Sequence, residues 1–211
     1  MYLARSNPLL KRNQANNQAD RQLVDEILGG ETKRFETVIK NTKGLVTQIV
    51  FKMINSVEDR RDLAQEIYLK AYQNLSKFRF QSKLSTWIGQ IAYNTCLHYL
   101  EKKKLVILDH DDSQTQEEPL ESLSKKLTSH SSTSTEPDIF KAQLSEIMQA
   151  EIEKLSPLYK TLVILYHQEE LSYEEITQIT DLPMGTVKNY LFRARKKLKD
   201  SLLLNYKREE L

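Results

Sequence analysis

Cysteine is nearly absent from this chain: Cys96 stands alone among 211 residues. No intramolecular disulfide can form, and nothing points to an oxidising compartment. Glycine and proline are scarce, at five each. No glycine-rich phosphate loop is found, and Gly29-Gly30 suits a helix end rather than an anion cradle. Long apolar runs are missing too. None approaches the ~20 residues needed to cross a bilayer, so no membrane insertion is expected. Met1 to Gln18 is rich in Asn, Gln and Arg and lacks the apolar stretch of a secretion signal, which predicts a cytoplasmic protein. His98, His110, His130 and His167 fall at no metal-ligand spacing with Cys96 or with one another. No catalytic residue, metal site or cofactor is nominated, and the chain is expected not to be an enzyme.

What is present is charge, unevenly spread. The net charge of +2 averages three different segments. Residues 1–108 hold 18 basic and 10 acidic side chains, residues 109–137 hold 2 and 7, and residues 138–211 hold 11 and 12. Apolar residues recur at helical spacing almost everywhere outside the acidic segment, and no stretch alternates at period two for long enough to make a strand. The expected class is all-α, with two small helical domains joined by a flexible linker.

Residues 1–19 read as a polar N-terminal tail, and residues 20–104 as the first unit. Leu23, Val24, Ile27 and Leu28 form a stripe that ends at Gly29-Gly30. Phe35, Val38, Ile39, Val46, Ile49, Val50 and Met53 continue the pattern, with Gly44 as an expected weak point. Ser56 is placed to cap a helix whose buried stripe is Leu63, Ile67, Ala71 and Leu75. A loop over Arg79 to Ser85 precedes a helix carrying Ile88, Ile91, Ala92, Thr95 and Tyr99. Residues 105–137 read as the linker. From Asp109 to Pro137 the only apolar side chains are Leu120, Leu123 and Leu127, too few to offset the entropy of ordering, although a weak helix over those leucines is allowed. The second unit covers 138–211.

The most specific local pattern runs from Leu171 to Leu198. Ser172 fits an N-cap, and Glu174 and Glu175 stand in the first turn, where the helix dipole favours them. Asp181-Leu182-Pro183 makes a turn, and Pro183 cannot continue the first helix. Gly185-Thr186-Val187 starts a second helix. Between Met184 and Asp200 there are six basic residues and one acidic. Two short helices, a tight turn and a basic second helix are what a reader of the DNA major groove requires. The bland alternative is a helical hairpin with a solvated basic face, in which Ile176, Ile179, Leu182, Val187, Leu191 and Leu198 would be core all the same.

In the first unit, Asp62-Leu63-Ala64-Gln65-Glu66-Ile67-Tyr68-Leu69-Lys70-Ala71-Tyr72 is followed by Phe78, then Ser85-Thr86-Trp87-Ile88 and Ile91-Ala92-Tyr93-Asn94-Thr95-Cys96. This succession resembles sigma region two of the extracytoplasmic-function (ECF) branch of the sigma-70 family. Leu171-Ser172-Tyr173-Glu174-Glu175-Ile176 and Gly185-Thr186-Val187-Lys188 resemble region four of the same branch, in the right order. The resemblance implies a bacterial transcription initiation factor that binds core RNA polymerase and directs it to promoter DNA. It implies that Asp62, Gln65 and Glu66 dock on the polymerase clamp, where composition alone would read a polar exposed face. It places Phe78, Arg79, Phe80, Lys83, Trp87 and Asn94 at the minus-ten element, consistent with the aromatic, hydrogen-bonding and basic groups that single strands need. Trp87 and Phe78 fit a core role as well. Lys188, Asn189, Phe192, Arg193, Arg195 and Lys196 are placed at the minus-thirty-five element, and an anti-sigma factor is a further partner the resemblance allows.

The chain departs from the family pattern at Tyr93, where many relatives carry Arg, and at Leu100-Glu101, where a basic pair is usual and the basic run is displaced to Lys102-Lys103-Lys104. Thr177 replaces the usual Ala. Two other functions compete. A stand-alone helix-turn-helix regulator would need no constellation from Asp62 to Asn94 and would leave a footprint of two half-sites. A small nuclease or recombinase would need clustered carboxylates for a metal, and the acidic residues here lie in helix first turns or in the linker.

Overall fold

A computed structural model describes residues 8–109 and 136–205. In chain order the helices are α1 (Pro8–Leu28), α2 (Phe35–Met53), α3 (Val57–Gln73), α4 (Leu84–Asp109), α5 (Glu136–Glu153), α6 (Pro157–His167), α7 (Tyr173–Thr180) and α8 (Met184–Asn205), with short 3-10 turns at Thr32–Arg34 and Leu75–Lys77. Among the described residues there is no strand, and no helix is long and apolar enough to cross a membrane. The leucines at 120, 123 and 127 lie outside the described residues, as does most of the expected linker.

Local chemistry explains three of the helix ends. At the close of α1 the Gly30 N–H donates to the Ile27 carbonyl and the Glu31 N–H to the Glu26 carbonyl, while Gly30 adopts φ 111°. This is the paired closure a left-handed glycine permits. The Ser56 hydroxyl accepts from the Asp59 N–H, as its position predicts. At α7 the capping box is complete: Glu175 N–H donates to the Ser172 hydroxyl, and Ser172 N–H donates to the Glu175 carboxylate.

Three expectations change. The polar segment assigned to a tail is helical from Pro8, since Asn and Gln tolerate helical backbone without contributing an apolar stripe. Helix α2 passes through Gly44 unbroken because Val38, Thr42, Leu45, Val46, Ile49, Val50 and Met53 bury one continuous face around it. A single exposed glycine costs only about 1 kcal/mol against such burial. Helix α4 runs five residues past the boundary expected at residue 104.

The two units share one apolar interior. Helix α6 is buried over six consecutive residues, Lys160 to Leu165, as befits a helix covered on all sides. It packs on α8 and α7 of its own unit and on α2 of the other, while α7 packs on α4. Gly89 lies at a close approach within that second contact. A Cβ added there would lie 3.1 Å from Cγ1 and Cδ1 of Ile179 and 3.2 Å from Cδ2 of Leu45. Only a residue without a side chain lets α2, α4 and α7 meet this closely.

Candidate functional site

Helix α3 buries Leu63, Ile67 and Ala71, which turns Asp62, Gln65 and Glu66 outward as an exposed ridge. Glu66 pairs with Lys70 at 2.7 Å, and the Lys70 ammonium also donates to the Thr95 hydroxyl of α4. The ridge is therefore oriented by the helix that carries the next cluster.

That cluster is aromatic. Phe78 is buried, with its ring centre 4.7 Å from Phe80 and 5.2 Å from Trp87. Phe78 thus acts from beneath, while Phe80 and Trp87 remain half-buried. Phe80 sits at φ 56°, a left-handed conformation that costs a bulky residue about 1–2 kcal/mol. The Phe78 contact and the Arg21 guanidinium, 4.7 Å from the Phe80 ring centre, hold it there. Arg79 and Asn94 are exposed. The start of α4 is capped from a distance: the Leu84 N–H donates to the Asp20 carboxylate at 2.8 Å. Neither Arg21 nor Asp20 carries a signal that sequence reasoning could use, since each acts about sixty residues away on a separate helix.

Lys83 is not free. Its ammonium lies 2.7 Å from the Glu175 carboxylate of α7, an ion pair. Burial raises the Glu175 pKa, but Lys83 and the Ser172 contacts outweigh it and hold the carboxyl below its ordinary value. Tyr93 is buried against the second unit, and its phenol is pushed up first by burial and then by nearby Tyr190 of α8. Cys96 is fully buried, which raises its thiol to about 12 and leaves it inert at neutral pH.

In the second unit Val187, Leu191, Ala194 and Leu198 face inward and fix the register of α8. Lys188, Asn189, Phe192, Arg193, Arg195 and Lys196 are all exposed, as expected. They divide into two faces. The Lys188 ammonium stands 5.6 Å from the Tyr173 ring centre, and the Arg195 guanidinium 4.9 Å from that of Tyr166, with the two tyrosines stacked at 5.0 Å. Arg195 also donates to Nε2 of His167, whose pKa is lowered by burial and then by the Arg195 charge. Asn189, Arg193 and Lys196 lie on the other, outer face by helical spacing, while Phe192, four residues after Lys188 and three before Arg195, sits between those two cations. Asp181, at φ 57°, turns the chain between α7 and α8. Thr177 is accommodated by donating its hydroxyl to the Tyr173 carbonyl.

Residues 38–106 match Sigma-70 region 2, and residues 145–198 match Sigma-70, region 4. The chain is 31% identical over 180 residues to the ECF RNA polymerase sigma factor SigW of Bacillus subtilis, covering 85% of this chain and 94% of that one. It is 32% identical over 178 residues to the ECF RNA polymerase sigma-E factor of Escherichia coli K12, covering 83% and 90%. Its fold is similar to that of the sigma factor RpoE solved with the anti-sigma factor NepR from Bartonella quintana, with a TM-score of 0.60 at 21% identity over 82% of this chain and 99% of that one. It is also similar to CnrH solved with the cytosolic domain of CnrY, at 0.58 and 16% over 89% and 99%.

Proposed function

The chain belongs to the ECF branch of the sigma-70 family, and from that premise we propose how its surfaces divide the work of starting transcription. It binds core RNA polymerase and directs it to specific promoters. It is an initiation factor rather than a classical enzyme. The ridge of Asp62, Gln65 and Glu66 docks on the polymerase. Arg79, Phe80, Lys83, Trp87 and Asn94 take the minus-ten strand, with Phe78 supporting the two aromatic rings. The exposed faces of α8 take the minus-thirty-five element. Its partners place its work in the cytoplasm, and an anti-sigma protein is a further partner, a reading supported by the similar fold of RpoE, which was solved with one.

The observation that carries the division is the position of the ridge. Its three polar side chains are exposed on α3 while the same helix buries its apolar stripe against the helix bearing Trp87 and Asn94. Strand capture is thereby set at a fixed offset from the polymerase. Reversing charge with Asp62→Lys and Glu66→Lys should weaken core binding at least tenfold, the effect of about 1.4 kcal/mol, without changing helical content. Binding measured by fluorescence anisotropy against labelled core enzyme tests this, and unchanged affinity would remove the ridge from the interface.

A further inference from the structure

Helix α6 ends on His167, an exposed side chain in the last turn, where the helix dipole favours a cation. In the free factor the imidazole is nonetheless held neutral. Its Nε2 accepts from the Arg195 Nε at 3.2 Å, an arrangement open only to an unprotonated ring nitrogen. Partial burial and then the Arg195 charge hold its pKa below the ordinary value. The other charges on the elements packed against α6 are engaged elsewhere. Lys52 of α2 and Lys160 of α6 itself are held by Glu153, and Glu175 of α7 by Lys83. Lys188 and Lys197 of α8 lean over Tyr173 and Tyr159. Glu169 and Glu170 follow in the turn after His167, and Glu174 stands in the first turn of α7. Arg195 is the charge that acts on the ring.

A DNA phosphate would reverse this balance. Lys188 and Arg195 flank the stacked pair Tyr173 and Tyr166. Tyr173 opens α7, and in a helix-turn-helix the first helix crosses the DNA backbone. The end of α6 therefore stands beside the strand that Arg195 meets. Arg195 gives its Nε to His167, and its terminal nitrogens carry the further N–H groups that a phosphate takes. A phosphate there offsets the guanidinium charge that keeps the neighbouring imidazole neutral. The ring can then take a proton from solvent and donate a second N–H of its own.

We infer that His167 and Arg195 form one phosphate site of the minus-thirty-five contact, in which DNA binding draws a proton onto the His167 imidazole. The inference rests on the reading of Arg195 as a DNA contact. Proton and phosphate then strengthen each other's binding by the same factor. The sign follows from the two states. The imidazole is neutral in the free factor and charged in the complex, so DNA is held more tightly as the pH falls. The gain begins at the raised value of the complex and is complete below the lowered value of the free factor.

Affinity of the holoenzyme for a fluorescent duplex carrying the upstream element of a promoter it transcribes tests this. His167→Gln keeps an oxygen that can accept from the Arg195 Nε but takes up no proton. Between about pH 8 and about pH 5.5, a range that spans histidine titration, wild-type affinity should rise roughly fivefold more than that of the variant. At the acid end the wild-type salt slope should exceed the variant's by about 1, the effect of one added cation on a phosphate. Wild-type and His167→Gln profiles that coincide across this range would overturn the inference. Arg195→Ala tells the two claims apart. If it weakens binding while those profiles coincide, the proton-linked contact alone is wrong. If it leaves affinity and salt slope unchanged, the DNA reading of Arg195 falls, and the inference with it.

Discussion

Lys188 and Arg195 lie seven residues apart on α8, two helical turns, and both are drawn over the stacked tyrosines Tyr173 and Tyr166. A cation held against an aromatic ring keeps its charge but gives up freedom to follow a base edge. Asn189 and Arg193 stand one turn apart on the outer face and are not so held. The expected outcome is a division by face, not by position along the helix. Asn189→Ala and Arg193→Ala should each change which upstream sequences are used, at a cost of about 1–3 kcal/mol for the preferred base. Lys188→Ala and Arg195→Ala should lower transcription from all promoters alike and reduce the salt slope of binding by about 1 each. Transcription from a library of randomised upstream elements, repeated at several salt concentrations, checks both. Sequence reasoning singles out these positions on α8 because a run of cations after a turn is a local signal. It could not sort them by face, since that depends on Tyr166 and Tyr173, two tyrosines on other helices.

Among the elements, α4 depends most on a partner distant in sequence. Its first free amide is answered by Asp20, sixty-four residues earlier, so α1 fixes where α4 begins and hence where Phe80 and Lys83 are presented. Asp20→Ala should cost about 0.5–2 kcal/mol. For a chain of this size that lowers the melting temperature by roughly 2–4 °C per kcal/mol, measured by circular dichroism. Asp20→Asn should recover most of the loss, because its amide oxygen still accepts. Minus-ten strand binding should weaken with Asp20→Ala, whereas the Asp62 ridge on α3 should bind polymerase as before. The helices themselves were legible because stripes such as Leu63, Ile67 and Ala71 repeat within one segment. The cap of α4 was not, because a carboxylate in a polar stretch has no local mark of its destination.

For the molecule as a whole, two of the contacts between units are ionic and therefore pH-dependent. In Glu153, burial raises the pKa, but Lys160 and Lys52 more than offset it, and Glu175 behaves likewise with Lys83. Both carboxyls titrate below the ordinary value of 4.5 in the folded protein. The unfolded chain therefore takes up protons first as the pH falls. Their contribution to stability is complete above 4.5 and is lost as the pH drops through the lowered values. The melting temperature should stay level from neutrality to about pH 5 and fall below it. Glu153→Gln should lower the plateau and flatten the acid limb, and differential scanning calorimetry across that range measures both.

Local pattern in the chain dictates most of the helices, the caps at Ser56 and Ser172, the exposed faces of α3 and α8, and the order of the two sigma regions. Each of these depends on residues within a few turns of one another, where spacing and side-chain chemistry dictate the outcome. Long-range packing is what buries Phe78 against Phe80 and Trp87, lets Gly89 admit Ile179, and holds Lys83 against Glu175. These depend on which surfaces, far apart in the chain, come to meet. Many lysines and glutamates in the chain could satisfy a charge rule, and packing of α6 on α2 and α7 on α4 selects the pairs that do.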